Sequence, residues 1–141
     1  MKETTGIDYR FGIRFRDEKR QKVNIYELGG GRKVENLLPA PLNVFNIANT
    51  AVCIVIDLSL PGNSLDSLNF WINAVRENME KALTELKAKD AAKAQEIIDA
   101  HEEKWSKHED YSRIKPSPLP IIIVGSKFDL FANSYETIKK K

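Results

Sequence analysis

The chain has 141 residues, 42% of them hydrophobic, which is enough for one ordinary domain with a sizeable core. Its 22 basic and 20 acidic residues give a formal net charge of +2, which excludes the strong single-sign field that draws proteins onto nucleic acid or anionic membrane. We therefore expect a protein partner and no nucleic acid. No stretch reaches the roughly 20 apolar residues that span a bilayer, and the N-terminus lacks a signal peptide, so we expect no membrane insertion and an intracellular location.

The first 28 residues show the pattern of a strand hairpin. Residues 6–16 alternate apolar and polar side chains, and one face would carry Ile7, Tyr9, Phe11, Ile13 and Phe15. A charged turn at residues 17–20 and a second alternating run at residues 22–28 follow. The sequence predicts two half-buried antiparallel strands over residues 1–28, ending at three glycines.

Two later runs predict buried strands. Residues 51–58 are apolar on both faces until Asp57, and residues 121–124 are continuously apolar, as expected of strands that helices cover on both faces. The single cysteine, Cys53, lies in the first run, so we predict a buried, inert thiol in a reducing compartment.

A helical region is predicted over residues 64–108, between these two runs. Apolar residues recur at spacings of three and four from Leu65 to Leu86, with Asn63 or Ser64 as the N-cap. A second helix with a thinner apolar stripe should start near Asp90. Strand, helix and strand in this order predict an α/β layer structure with a parallel strand pair.

Three loop sequences resemble, in order, motifs of the Ras-like GTPases. Thr4 occupies the place of the switch threonine that reaches magnesium, and Glu27 with Gly30 is similar to a degraded Asp-x-x-Gly motif. Residues 121–131 combine the second buried strand with the loop sequence Gly125-Ser-Lys-Phe-Asp129, in which Ser126, Lys127 and Asp129 resemble the guanine-reading Asn-Lys-x-Asp motif. The resemblance implies a vestigial nucleotide site formed by Thr4, Glu27, Gly30, Ser126, Lys127 and Asp129.

The same resemblance implies a Ras-like GTPase-type fold, with a mostly parallel sheet and flanking helices. No Gly-x-x-x-x-Gly-Lys-Ser/Thr motif occurs, so the phosphate-binding loop is missing, and we expect the first strand to be missing with it. Residues 1–141 would then form a single, incomplete Ras-like domain. Gly31 stands where an active GTPase has its water-orienting glutamine, so we expect no enzyme activity, no catalytic residue and no cofactor.

A narrower resemblance is to the dynein light intermediate chains, within them to the branch of the ciliary motor dynein-2. It rests on Tyr9-Arg-Phe-Gly12, Tyr26-Glu-Leu-Gly-Gly-Gly31, Val55-Ile-Asp-Leu-Ser59 with Pro61, and Pro120-Ile-Ile-Ile-Val-Gly-Ser-Lys-Phe-Asp-Leu-Phe131. It implies a non-catalytic subunit that stabilises the dynein-2 heavy chain for retrograde intraflagellar transport, with other dynein-2 subunits as partners and microtubules reached only through the motor. The implied location is the cytoplasm, the cilium and basal body, and the cytoskeleton.

Several alternatives stay open at this stage. The chain is also compatible with a fragment of a small GTPase that acts as a GTP-binding switch. Gly29–Gly31 would equally serve a turn that needs positive φ, and Lys127 and Asp129 would equally cap a loop after a buried strand. His101 and His108 lack the further ligands of a metal site, so no metal is expected.

Overall fold

The computed structural model of the chain describes residues 4–114 and 117–133 and shows a mixed α/β protein. It falls into two compact units, Met1–Pro41 and Leu42–Lys141. The elements are β1 (Gly6–Arg16), β2 (Lys19–Gly29), a 3-10 helix (Gly31–Leu37), a second 3-10 helix (Ile47–Asn49), β3 (Val52–Asp57), α1 (Pro61–Lys89), α2 (Ala91–Trp105), β4 (Ile121–Ser126) and α3 (Phe128–Ala132).

The predicted N-terminal hairpin is confirmed. β1 and β2 pair antiparallel, from Gly6 opposite Gly29 to Arg16 opposite Lys19. Asp17 and Glu18 form the two-residue turn, with φ values of 50° and 61°. Positive φ at both central positions gives the turn the twist that matches the two flanking strands. β2 begins at Lys19, three residues earlier than the alternation indicated.

The prediction that these strands are half-buried is wrong for this chain. The apolar face of β1 is exposed, with 59% of Phe11 and 74% of Phe15 accessible to solvent. A two-stranded ribbon buries little apolar area unless another element covers it. Within this unit the hairpin contacts the short 3-10 helix at Gly31–Leu37, which follows directly on β2.

The second unit contains the predicted parallel pair. β3 pairs with β4 from Val52 opposite Ile121 to Asp57 opposite Ser126, and α1 and α2 lie between them along the chain. α1 contacts both β3 and α2. The buried core residues of this unit are Leu42, Val44, Ile47, Ile54, Ile56, Ala74, Val75, Met79, Ala82, Leu86, Ala94 and Leu119.

The prediction that β3 and β4 are buried on both faces is also wrong for the described chain. Ile54 and Ile56 of β3 are buried, whereas Val55 is 61% exposed and Ile122 is 53% exposed. Cys53 is likewise exposed, not the buried thiol that the apolar run predicted. The physical reason is that α1 packs on the face of β3 that carries Ile54 and Ile56. A parallel sheet is buried on both faces only when helices cover both.

The predicted start of α1 is wrong, and the predicted start of α2 is confirmed. α1 begins at Pro61, so the predicted cap at Asn63 or Ser64 is wrong. Proline suits the first helical position because its fixed φ is helical and its missing N–H would have no partner there. α2 begins after Asp90, as predicted, and the Asp90 side chain accepts a hydrogen bond from the Lys93 N–H at 3.0 Å.

We expect the 141-residue chain to bind a hydrophobic dye and to self-associate. The exposed apolar faces of β1 and of the β3–β4 pair can bind the dye or a second copy of the chain. The backbone groups at the open strand edges can pair with another strand. The measurement is dye fluorescence together with sedimentation over a range of protein concentrations. A monomer that unfolds in one sharp urea transition and binds no dye would contradict this expectation.

Candidate functional site

Polar side chains gather at the edge of the sheet where β3 and β4 end. Asp57 is the last residue of β3, Ser126 is the last residue of β4, and Lys127 follows directly. The two strands are parallel and in register at Asp57 and Ser126, so their carboxyl ends meet at one edge. In open α/β sheets this edge is the usual place for a ligand.

An ion pair joins the two strand ends. The Lys127 Nζ lies 2.6 Å from Asp57 Oδ2, and the side chains are 53% and 41% exposed. Asp57 Oδ1 accepts hydrogen bonds from the Ser59 N–H at 2.9 Å and the Ser59 hydroxyl at 2.6 Å. The bond from Lys127, followed by those from Ser59, lowers the pKa of Asp57 from 3.8 to about 2. The carboxylate is therefore charged at neutral pH, with both oxygens engaged.

The backbone at the same edge is tightly arranged. The Ser126 hydroxyl donates to the Ile56 carbonyl oxygen at 3.1 Å, and the Leu58 N–H donates to the Ser126 carbonyl oxygen at 3.1 Å. A Cβ at Gly125 would lie 2.6 Å from Leu58 Cδ1. Glycine is therefore required at position 125 unless the Leu58 side chain moves.

The structure brings Ser126 and Lys127 of the guanine-like motif to Asp57. Asp129 lies in the first turn of α3 and is exposed. Sequence reasoning did not single out Asp57 or Ser59. The signal was present in principle, because an aspartate that ends an apolar strand two residues before a serine is a common local hydrogen-bonding turn.

The remaining predicted site residues lie in the other unit, Met1–Pro41. Thr4 is packed against Gly29, where an added Cβ would collide with the Thr4 backbone. Glu27 is exposed at the end of β2. Gly30 and Gly31 have φ values of 123° and 67°, which other residues rarely adopt. The backbone conformation of the turn after β2 is therefore enough to explain these two glycines.

We searched the described part of the chain for metal-binding clusters and for membrane-spanning helices. Residues 4–114 and 117–133 contain no cluster of three or more His, Cys, Asp or Glu side chains that could hold a metal ion. None of their helices has the length and apolar character needed to cross a bilayer. His101 is half-buried, and this burial lowers the pKa of its imidazole.

Fold and site together define an α/β protein in which a parallel strand pair carries a charged pair and a lysine-containing loop at its carboxyl edge. The sequence profile described as Dynein light intermediate chain (DLIC) matches residues 1–119. The chain belongs to the dynein light intermediate chain family.

Individual relatives agree with this assignment. The chain is 28% identical to the cytoplasmic dynein 2 light intermediate chain 1 of Homo sapiens over 99% of its own length and 40% of the relative. It is 30% identical to the protein of the same name from Danio rerio, over 99% of the chain and 39% of that relative. The cytoplasmic dynein 1 light intermediate chain 1 of Mus musculus is 32% identical, over 57% of the chain and 16% of the relative. The chain thus spans about two fifths of the dynein-2 relatives.

Acid should remove the contribution of Asp57 to stability. Because the folded-state pKa of Asp57 is depressed to about 2, its contribution is fully present above the unfolded value of 3.8 and is lost as the pH falls through about 2. We expect Asp57→Asn to lower the urea midpoint at about pH 5 and to have a much smaller effect at about pH 2, where about half of the carboxyl groups are protonated in the folded state. Ser59→Ala, which removes one donor to the carboxylate, should act in the same direction.

An equal effect of Asp57→Asn at both pH values would contradict this expectation. It would mean that the substitution acts through packing and not through the charged state of the carboxylate.

Proposed function

We propose that the chain is part of a non-catalytic light intermediate chain of the cytoplasmic dynein-2 motor. The observation that carries this proposal is its similarity to dynein-2 light intermediate chains over 99% of its length. Its role would be to support the stability and assembly of the heavy chain, and through it retrograde intraflagellar transport.

The proposed partners are the dynein-2 heavy chain and the other dynein-2 subunits. Microtubules would be reached only through the motor, and the proposed locations are the cytoplasm and the cilium with its basal body. The near-neutral net charge of +2 supports a protein partner over nucleic acid or an anionic lipid surface.

For the fold, we propose a Ras-like domain. Three features support it: a glycine turn directly after β2, a parallel β3–β4 pair with a helical connection, and the Gly125–Asp129 loop at the carboxyl edge.

We propose that Thr4, Glu27, Gly30, Ser126, Lys127 and Asp129 are vestiges of a nucleotide site. The 141 residues lack the phosphate-loop sequence, whose backbone amides and lysine supply most of the contacts to a nucleotide. Lys127 is paired with Asp57. The alternative of a GTP-binding switch is not favoured, because the chain belongs to the dynein light intermediate chain family.

The purified chain should show no measurable binding of GTP. Two side chains of a guanine-like loop cannot replace the phosphate contacts, so a fluorescent GTP analogue should give no saturable signal at micromolar protein. Asp129→Asn serves as the matched control, since any weak signal that it leaves unchanged is non-specific. Saturable micromolar binding that Asp129→Asn abolishes would overturn the vestigial assignment and favour the GTPase alternative.

In ciliated cells, the full-length protein that contains this chain should co-purify with the dynein-2 heavy chain. Its loss should shorten cilia or leave transport particles stalled at the tip. The dynein-1 heavy chain in the same cells provides the control for specificity. A knockout with normal cilia and normal retrograde traffic would contradict the proposed function.

A further inference from the structure

We propose that Asp57 and Lys127 form a clamp between the two loops that leave the carboxyl edge of the β3–β4 pair. In this role Lys127 is a positioning residue for the segment at residues 127–133, which contains the short helix α3, and it does not make the contact along a guanine base that its motif implies. The proposal is independent of any assignment to a motor complex.

The register of β3 and β4 places Asp57 and Lys127 next to each other. They are 70 positions apart in the chain, yet Asp57 lies opposite Ser126, the residue before Lys127. The Leu58 N–H bond to Ser126 and the Ser126 hydroxyl bond to Ile56 extend the pairing beyond the last strand residues. The two loops therefore start side by side before any side chain acts.

The Asp57 carboxylate is anchored on its own loop. Ser59 holds Oδ1 through its N–H and its hydroxyl, which leaves Oδ2 directed to Lys127. The Ser64 hydroxyl lies 3.2 Å from the carbonyl oxygens of both Asp57 and Leu60, to which it can donate, so the first turn of α1 lies beside the same residue. A fixed acceptor makes the ion pair a directional link, unlike a pair between two freely rotating surface side chains.

The backbone of Lys127 gives an independent indication. Its φ of 56° and ψ of 39° place it in the left-handed region, which non-glycine residues seldom adopt. Its carbonyl oxygen accepts from the N–H groups of Leu130 and Phe131, at 3.1 and 3.2 Å, so this conformation begins α3. An unusual conformation persists when surrounding contacts hold it, and the ion pair to Asp57 is such a contact.

The clamp and a base contact use the same side chain. The Lys127 ammonium lies 2.6 Å from Asp57 Oδ2, so the side chain that the motif assigns to a base is engaged within the protein. Both side chains are about half exposed, so solvent screens the pair, and we expect its main effect to be local order in the two loops.

Hydrogen exchange measured by mass spectrometry on the 141-residue chain tests this role. Lys127→Asn removes the ammonium, and asparagine tolerates the left-handed conformation, so charge is separated from backbone strain. We expect exchange at residues 58–60 to rise about two- to fivefold in Lys127→Asn, and exchange at residues 128–133 to rise similarly in Asp57→Asn. Each substitution would then change exchange in the opposite loop, not only in the loop that contains the substituted residue. Lys127→Arg should retain the protection of both loops.

The matched control is Lys89→Gln, which breaks the Lys89–Glu85 pair on α1. That pair has a similar length of 2.7 Å, with both side chains 53% exposed. Because Lys89 Nζ also lies 5.1 Å from the centre of the Phe45 ring, the substitution should change exchange near residues 45 and 89 and leave residues 58–60 and 128–133 unchanged. As a second readout, carbon NMR of the Asp57 carboxyl group should show its pKa rising in Lys127→Asn and unchanged in Lys89→Gln.

Three results would overturn the clamp. One is an unchanged Asp57 titration in Lys127→Asn, and another is exchange that rises equally across the whole of α1, which means general unfolding. The third is a change caused by millimolar GDP in the wild type: slower exchange at residues 128–133 together with faster exchange at residues 58–60. That result would mean that Lys127 contacts a nucleotide.

Discussion

The packing of α1 on one face of β3 is the contact on which the larger unit depends. Two parallel strands cannot be joined by a tight turn, so the chain must cross over, and here the crossover begins with the 29-residue helix α1. Ile54 and Ile56 of β3 are buried, as are Val75 and Met79 of α1. Burial of these side chains supplies the apolar stabilisation that makes a two-stranded parallel sheet possible.

The same strand pairing also creates the charged edge. A parallel register with Asp57 opposite Ser126 leaves residues from distant parts of the sequence side by side at the carboxyl ends. No further folding step is required to bring Lys127 to Asp57. The site is therefore a consequence of topology, and its electrostatics, including the depressed pKa of Asp57, follow from it.

Sequence periodicity predicted the hairpin and the two helices because each depends on a local pattern. The parallel pair followed from the order strand, helix, strand, since a crossover through helices returns the chain to the sheet in the parallel direction. Periodicity did not predict exposure. An apolar run such as residues 121–124 shows that a strand is suited to burial, but not which element covers it, and in this chain most of β4 is uncovered. The α1 start was missed because Pro61 at the first helical position outweighed the capping preference of Ser64. Asp57 was missed because its role depends on a lysine 70 residues away.

The short GTPase-like motifs illustrate how fold and ligand chemistry can require the same residues. Gly30 and Gly31 adopt positive φ, so their backbones need glycine whether or not a nucleotide is bound. Gly125 lies against the Leu58 side chain, which would have to move to admit a larger residue. Lys127 bonds to Asp57 on the protein itself. A motif of this kind therefore indicates the family and the local backbone. Nucleotide chemistry requires, in addition, a phosphate-binding loop, and that sequence does not occur in these 141 residues.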